Sequence, residues 1–260
     1  MRGPGRIPRD DRHWAPPEDV GLLRVPAPTN PRALRYPGPL YGEEAFNTSP
    51  AAHLAHRGVL VVEGIYPPSY RNKPRPYNQG NEDNTFGKDA GVMVENRKMV
   101  WLTQSGAPWS KGVWRAVKKT LLQLRLMHPV HHFKEGHTLL RTLRNSKPQH
   151  IHQDFVPGGH LFNRWKPVDG CYLYPISVLI ATSPAGAKLG LRDGTIIECN
   201  QWDAFVFRGD LEHFGEGYKE ENLRQHFYVG CGIGGRRGKY VKFKPRTGAV
   251  IVKRKMVKKR

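Results

Sequence analysis

The chain has 260 residues, three cysteines and a formal net charge of +20. This length allows one enzyme-sized domain with extensions, and three cysteines without C-x-x-C spacing argue against a disulfide framework or a zinc site. The sequence contains no apolar run of membrane-spanning length, and its first residues lack the apolar stretch of a signal peptide. We therefore expect a soluble intracellular protein of the cytoplasm or nucleus, neither secreted nor bound to a membrane.

The N-terminal part of the sequence predicts an arm followed by a folded domain. Residues 1–46 are rich in Pro, Arg and Gly with little periodicity, which is typical of an extended or disordered arm. The domain is expected over residues 47–233. Within it, residues 68–90 are polar with Pro and Gly and predict a long loop. Residues 110–128 carry apolar side chains at helical spacing opposite Lys and Arg, which predicts a helix packed against the outside of a sheet and without a chemical role.

Short strands separated by Gly, Pro and Asp turns are predicted from residue 138 onward. Asp193-Gly194 is a hairpin signal between two of them. The predicted strands cover residues 138–143, 172–182, 187–191, 195–199, 204–207 and 224–229. Close spacing of short strands favours an antiparallel barrel or jelly roll, mainly β with flanking helices and thus of the α+β class.

Two histidines and one aspartate within this region form a candidate metal site. His152 and Asp154 are one residue apart, so on a strand both side chains point to the same side. His213 follows the predicted strand 204–207 and supplies a second imidazole. Two imidazoles and one carboxylate are the ligand set that holds iron(II) on one face and leaves positions open for chemistry. We predict these three residues as the metal ligands and the catalytic centre.

Candidate residues for binding a ligand carboxylate lie after Asp154 in the chain. Arg224 lies eleven residues after His213 and offers a planar cation for a bidentate grip on a carboxylate. A buried carboxylate needs more than one donor, and Tyr174 and Ser177, together with Tyr172, lie on a strand expected to face the pocket. Tyr174 and Ser177 are therefore predicted as further donors to that carboxylate, although each tyrosine alone also fits a buried residue that is satisfied elsewhere.

Other readings of these residues remain open at this stage. His152 and Asp154 also fit a surface strand with an incidental hydrogen bond, and Arg224 fits a surface ion pair. His150 shares the face of His152, but we interpret it as a rim residue, and we place His226 beside Arg224 rather than among the ligands. Structural roles are predicted for the remaining histidines of this region, namely His131, His132, His137 and His160.

Taken together, these motifs resemble the double-stranded β-helix (cupin-like) core of the iron(II)/2-oxoglutarate-dependent dioxygenase superfamily. The resemblance is carried by His152-x-Asp154, by the segment DAFVFRGDLEH that ends in His213, and by Asn222-x-Arg224 with Tyr228. It covers residues 135–232. Upstream, residues 49–56 and 59–64 resemble the helix and first strand that often open such domains. No subfamily is assigned.

The resemblance implies a cofactor, a co-substrate and a reaction. Iron(II) is expected at the histidines and Asp154, with 2-oxoglutarate chelating it and Arg224 pairing the far carboxylate. Dioxygen would then oxidise a substrate while 2-oxoglutarate becomes succinate and carbon dioxide. Members that halogenate lack the carboxylate, so Asp154 favours hydroxylation or oxidative demethylation.

Charge is concentrated in the last residues. Residues 234–260 carry twelve Lys or Arg and no acid, which predicts contact with nucleic acid or another polyanion, or else a solubilising or nuclear-targeting tail. The positive charge favours a macromolecular or anionic substrate, with residues 68–90 and 157–170 as determinants. The alternative function is a non-catalytic basic jelly-roll module that binds nucleic acid, either capsid-like or a vestigial dioxygenase.

Overall fold

The computed structural model describes most of the predicted domain. The described residues are 22–28, 49–71, 96–102, 108–127, 131–132, 137–155, 167–168, 171–172 and 174–231. The basic tail, the rest of the N-terminal arm, residues 72–90 of the predicted loop and most of residues 157–170 lie outside them. The division into arm, domain and tail therefore stays a prediction.

The described helices lie in the first half of the chain. They are α1 (Pro50–Arg57), α2 (Pro68–Arg71) and α3 (Pro108–Gln123). The Ser49 side chain caps α1 by accepting a hydrogen bond from the Ala52 N–H, and Gly58, at φ 81°, ends it in the left-handed conformation. Within the described part of the chain, none of the helices combines the length and apolar character needed to cross a bilayer.

The strands follow the alternation seen in the sequence. In chain order they are β1 (Arg24–Pro26), β2 (Val59–Glu63), β3 (Arg97–Trp101), β4 (His131–His132), β5 (His137–Thr142), β6 (Pro167–Val168), β7 (Cys171–Tyr172), β8 (Ile176–Ala181), β9 (Ala187–Leu191), β10 (Ile196–Cys199), β11 (Ala204–Arg208), β12 (His213–Gly215) and β13 (Asn222–Cys231).

Two facing sheets build the barrel, and β6 and β7 pair with each other in a separate two-stranded sheet. The larger sheet has the order β1-β2-β11-β8-β13-β5-β3, with β4 also on β13, and the smaller has the order β10-β9-β12. Strand β1 is parallel to β2, and the other pairs are antiparallel. An isolated bridge between His152 and His213 adds the His-x-Asp segment to the edge of the smaller sheet. The predicted jelly-roll architecture is confirmed.

The central strands bury both faces, and the two faces have different partners. On β8, Ile176, Val178 and Ile180 pack toward the helices, in one cluster with the apolar stripe of α3. Leu179 and Ala181 alternate with them and pack inside the barrel, with a cluster that includes residues of β9, β10 and β11. The predicted outer position of the helix is thereby confirmed, and the inner face is left for the site.

Several elements differ from the sequence predictions. Part of the predicted arm forms β1, where the buried Val25 lies opposite Val62 of β2. The loop predicted at residues 68–90 begins with α2. The strand predicted over residues 172–182 is divided between β7 and β8, because Pro175 has no N–H to contribute to a sheet. Strand β3 had no counterpart among the predicted elements.

Candidate metal centre

The backbones of His152 and His213 hold the two imidazoles side by side. The N–H of His152 donates to the carbonyl of His213 at 2.8 Å, and the reverse bond measures 2.9 Å. Directly opposed residues of an antiparallel pair carry their side chains on the same face. The ring centroids are accordingly 4.4 Å apart.

Hydrogen bonds to backbone carbonyls fix the tautomer of both rings. Nδ1 of His152 lies 2.9 Å from the carbonyl oxygen of His150, and Nδ1 of His213 lies 2.8 Å from that of Leu211. A carbonyl only accepts, so each Nδ1 carries the proton and each Nε2 presents a lone pair. Burial, followed by the proximity of His213, lowers the pKa of His152 to about 3, and burial lowers that of His213. Both rings are therefore neutral at neutral pH.

Asp154 completes the cluster with a different environment at each of its oxygens. Its Oδ1 lies 4.0 Å from Nε2 of His152 and 3.9 Å from Nε2 of His213. Its Oδ2 accepts a hydrogen bond from the Ser177 hydroxyl and lies 3.3 Å from Nε2 of His226. Burial alone would raise the pKa of this carboxyl, but the neighbouring histidines, His226 foremost, hold it below its usual range. Asp154 is thus a carboxylate although it is only 1% exposed.

The donor atoms of this cluster match a divalent transition-metal ion. One donor atom each from His152, Asp154 and His213 lies within 4.8 Å of the others, and all these side chains are buried. Two neutral imidazoles and a carboxylate are a ligand set that such ions accept, with further positions left open. The residues therefore fit a metal centre.

Arg224 is buried deeper in the same barrel. It stands on β13 opposite Ala181 of β8 and is 2% exposed. One Nη donates to the hydroxyl of Thr142, and the guanidinium lies over the ring of Tyr218 at 5.1 Å. Among the described residues, no acceptor meets its buried Nε. A buried cation with an unused donor favours an anionic ligand beside it.

Arg97 is a second buried arginine near the site. No pattern in the sequence had indicated it. It donates to the carbonyls of Lys147 and Gly215, each at 3.0 Å, and to that of Glu216. Burial and then the charge of Arg224 lower its pKa to about 9. Arg97 therefore ties the segment that precedes His152 to the segment that follows His213. Since its partners are backbone atoms, no pairing of residue types could have indicated this role.

The other predicted positions lie around the cluster in different ways. Ser177 is on the inner face of β8, against Asp154, whereas Tyr174 precedes that strand and its ring lies 5.5 Å from the Arg208 guanidinium. His150 is exposed, as expected of a rim residue. His226 stands on β13, as Arg224 does, and faces the cluster without belonging to it, in agreement with the prediction. The side chains of Tyr172, His131, His132 and His160 are outside the described set.

His137 has the structural role that was predicted for it. It is fully buried beneath α3, with Nδ1 at 2.7 Å from the Ser110 hydroxyl and Nε2 at 3.0 Å from Oε1 of Gln225. Gln225 in turn donates to the Tyr66 hydroxyl at 2.9 Å. Burial lowers the pKa of His137 to about 3. This polar chain lies on the outer face of the larger sheet, away from the metal cluster.

Comparison with known proteins places this geometry in context. No protein-family model matches the sequence, and no curated protein is significantly similar to it. Solved structures do resemble it. HygX from Streptomyces hygroscopicus, with nickel, 2-oxoglutarate and hygromycin B bound, has a TM-score of 0.50 at 14% identity over 74% of this chain and 88% of its own. A Trichoplax adhaerens prolyl hydroxylase, in complex with a hypoxia inducible factor peptide fragment, has a TM-score of 0.51 at 10% identity over 70% and 87%.

A third structure extends the comparison. The non-heme α-ketoglutarate-dependent carbocyclase SnoK from nogalamycin biosynthesis has a TM-score of 0.50 at 10% identity, over 74% of this chain and 86% of its own. The fold is that of the iron/2-oxoglutarate oxygenases. At such low identity the likeness concerns the oxygenase fold itself, and it confirms the double-stranded β-helix expected from the motifs.

Proposed function

We propose that this protein is an iron(II)- and 2-oxoglutarate-dependent oxygenase that hydroxylates or oxidatively demethylates its substrate. The observation that carries the proposal is the convergence of His152, Asp154 and His213 in the interior of a barrel of this fold. Arg224, buried in the same interior with an unused donor among the described residues, adds independent support.

In this proposal the cluster holds iron through Nε2 of each histidine and Oδ1 of Asp154. Bound iron and 2-oxoglutarate would supply the oxidation: dioxygen gives one oxygen atom to succinate, as 2-oxoglutarate loses carbon dioxide, and the other to the substrate. The protein contributes ligands that need no deprotonation at neutral pH, because both imidazoles are neutral and Asp154 is ionised. It also contributes an apolar lining near the ligands, including Phe207, whose ring lies 4.7 Å from that of His213.

Arg224 would pair with the far carboxylate of 2-oxoglutarate. Thr142 and Tyr218 hold its guanidinium in place, and the free Nε can donate to the ligand. The Thr142 hydroxyl accepts from Arg224, so its own proton would supply the second donor that a buried carboxylate requires. Roles for Tyr174 and Ser177 in binding the co-substrate stay predictions.

The substrate is proposed only by class. The neighbours bind molecules as unlike as hygromycin B and a peptide fragment, so the fold does not choose among substrates. The net charge of +20 favours an anionic or macromolecular one.

The test is an anaerobic titration of the protein with iron(II) and 2-oxoglutarate, monitored by the weak visible charge-transfer band of the chelate. We expect the band in the wild type and in His150→Ala, whose substitution removes an exposed imidazole and keeps the carbonyl that anchors His152. We expect no band in His213→Ala. Absence of the band in folded wild-type protein would overturn the proposal and favour the alternative of a basic nucleic-acid-binding module.

A further inference from the structure

The two oxygens of Asp154 have separate tasks in this structure. Oδ1 faces the Nε2 atoms of the two histidines, while Oδ2 faces away from them, toward Ser177 and His226. We propose that Ser177 and His226 are positioning residues that hold Asp154 as a one-oxygen ligand and select Oδ1 as the oxygen that binds the metal. This inference rests on the proposed function, since it assigns the support of that metal site.

Ser177 is suited to fix the carboxylate because it stands on a central strand. It is fully buried on β8, opposite Phe207 of β11 and Tyr228 of β13. Pairing on both sides keeps its backbone in place, so the sheet sets the direction of its Cα–Cβ bond toward Asp154. The hydroxyl has a single proton, and Asp154 Oδ2 accepts it.

His226 approaches the same oxygen from the neighbouring strand. It stands on β13 between Thr138 of β5 and Leu179 of β8 and is 5% exposed. Its ring is 4.2 Å from the ring of Tyr228 and 6.1 Å from that of Phe207, so aromatic neighbours limit its rotation.

The Nε2 atom of His226 has one evident acceptor. It lies 3.3 Å from Asp154 Oδ2, and within the described residues no hydrogen bond satisfies it. A buried ring nitrogen without a bond is costly, and a small rotation of the carboxylate gives it one. The cluster of metal donors in the described residues comprises His152, Asp154 and His213, which leaves His226 in a supporting position.

The consequence of this arrangement concerns the number of open metal positions. A carboxylate free to rotate can bind through either oxygen or through both, and a second oxygen takes a position that co-substrate or substrate needs. With Oδ2 engaged by Ser177 and faced by His226, Asp154 occupies one position. Partners of ligating carboxylates typically contribute about 10–100-fold to metal affinity.

The experiment compares matched variants by metal binding rather than by turnover. Ser177→Ala and His226→Leu remove the two contacts, while Ser177→Thr keeps a hydroxyl and His226→Gln keeps an N–H donor. Each is titrated anaerobically with cobalt(II), whose visible spectrum reports coordination number. We expect affinity to fall about 10–100-fold in the first two variants, with an altered spectrum, and the second two to remain close to the wild type. Circular dichroism of the metal-free proteins checks folding.

The outcomes separate this inference from the proposed function. If wild-type protein binds no cobalt, the proposed function fails. If the wild type binds cobalt and both contact-removing variants bind it with the same affinity and spectrum, the positioning role alone is wrong. Loss of binding in His226→Leu as complete as in His213→Ala would make His226 a ligand and would also overturn the inference. Should His226→Leu not fold, the Ser177 pair decides.

Discussion

His152 and His213 are joined by a reciprocal pair of backbone hydrogen bonds, so the relative position of the two imidazoles is set by the main chain and not by side-chain contacts. Asp154 follows on the same segment, and its carboxylate turns back toward both rings. The ligand cluster is therefore as rigid as the sheet edge that carries it. This relationship explains why a short motif can specify a metal centre once its distant partner is paired with it.

Replacement of Asp154 by Ala tests the carboxylate directly. The two imidazoles stay paired through their backbones, but the anionic ligand is lost, and we expect the iron(II) affinity to fall by about 100-fold or more. Anaerobic titration measures this loss. Glu220→Ala removes a carboxylate from an exposed ion pair and is the control. Equal affinity in the two variants would contradict the assignment of Asp154.

Replacement of Arg224 by Met or Lys tests the co-substrate pocket. Removing the charged partner of a buried carboxylate weakens binding by about 2–5 kcal/mol. A change of about 1.4 kcal/mol corresponds to a factor of ten in Kd. We therefore expect the Kd for 2-oxoglutarate to rise by about 30-fold or more while iron affinity changes little. Lys has no planar guanidinium to bond Thr142 and the ligand together, so Arg224→Lys should restore little of the affinity for 2-oxoglutarate. Arg144→Met, at an exposed position, should leave both constants unchanged.

Replacement of Arg97 by Met tests the connection between the two ligand-bearing segments. The carbonyls of Lys147, Gly215 and Glu216 lose a shared donor, and we expect the free energy of unfolding to fall by about 2–4 kcal/mol. Urea denaturation of the metal-free protein measures it. Arg144→Met, at an exposed position, should change stability by no more than about 0.5 kcal/mol. A similar loss in both variants would show that Arg97 has no special role.

The pH dependence of stability should report the buried His137. Burial lowers the pKa of His137 in the folded protein from its ordinary value of 6.5 to about 3. Between these pH values the unfolded chain binds a proton at this residue and the folded protein does not. The contribution of neutral His137 to the free energy of unfolding is therefore fully present above about pH 6.5. It is lost as the pH falls toward 3, by about 1.4 kcal/mol per pH unit for one proton. The pKa of His152 in the metal-free protein is also about 3, so His152 adds to the slope of unfolding free energy against pH. Denaturation of metal-free His137→Gln between pH 6.5 and 4 should show a slope smaller by about one proton, and an unchanged slope would refute the assignment.

Replacement of Gly209 by Ala tests the packing behind the His-x-Asp segment. A Cβ at this position would lie 2.2 Å from Cδ2 of Phe155, the residue after Asp154, and the Gly209 carbonyl also accepts the Phe155 N–H. We expect a loss of about 1–3 kcal/mol in unfolding free energy together with weaker metal binding. The double variant with Phe155→Leu should recover part of the stability, because the two substitutions share one contact. Strictly additive losses would exclude this clash.

The strands and the metal donors were predictable because both depend on local patterns. Short runs rich in β-branched and aromatic residues, bounded by turn residues, located β8, β10 and β11. The one-residue spacing of His152 and Asp154 predicted that both side chains share one face. The role of Arg97 was not predictable, because its partners are carbonyls brought close only by the fold. Tyr174 and Ser177 are three residues apart, so even an unbroken strand would point them to opposite faces. Ser177 lies on the inner face of β8, and Tyr174 precedes that strand. Strand β1 is three residues long, too short for any period to emerge.

The bridge between His152 and His213 also bears on when the site arises during synthesis. The His-x-Asp segment leaves the ribosome before β12, which carries its strand partner among the described residues. Contacts between such distant residues form late in folding, since a long loop must close first. A nascent chain therefore presents only part of the proposed ligand set, and iron(II) bound as proposed would enter after the barrel has closed.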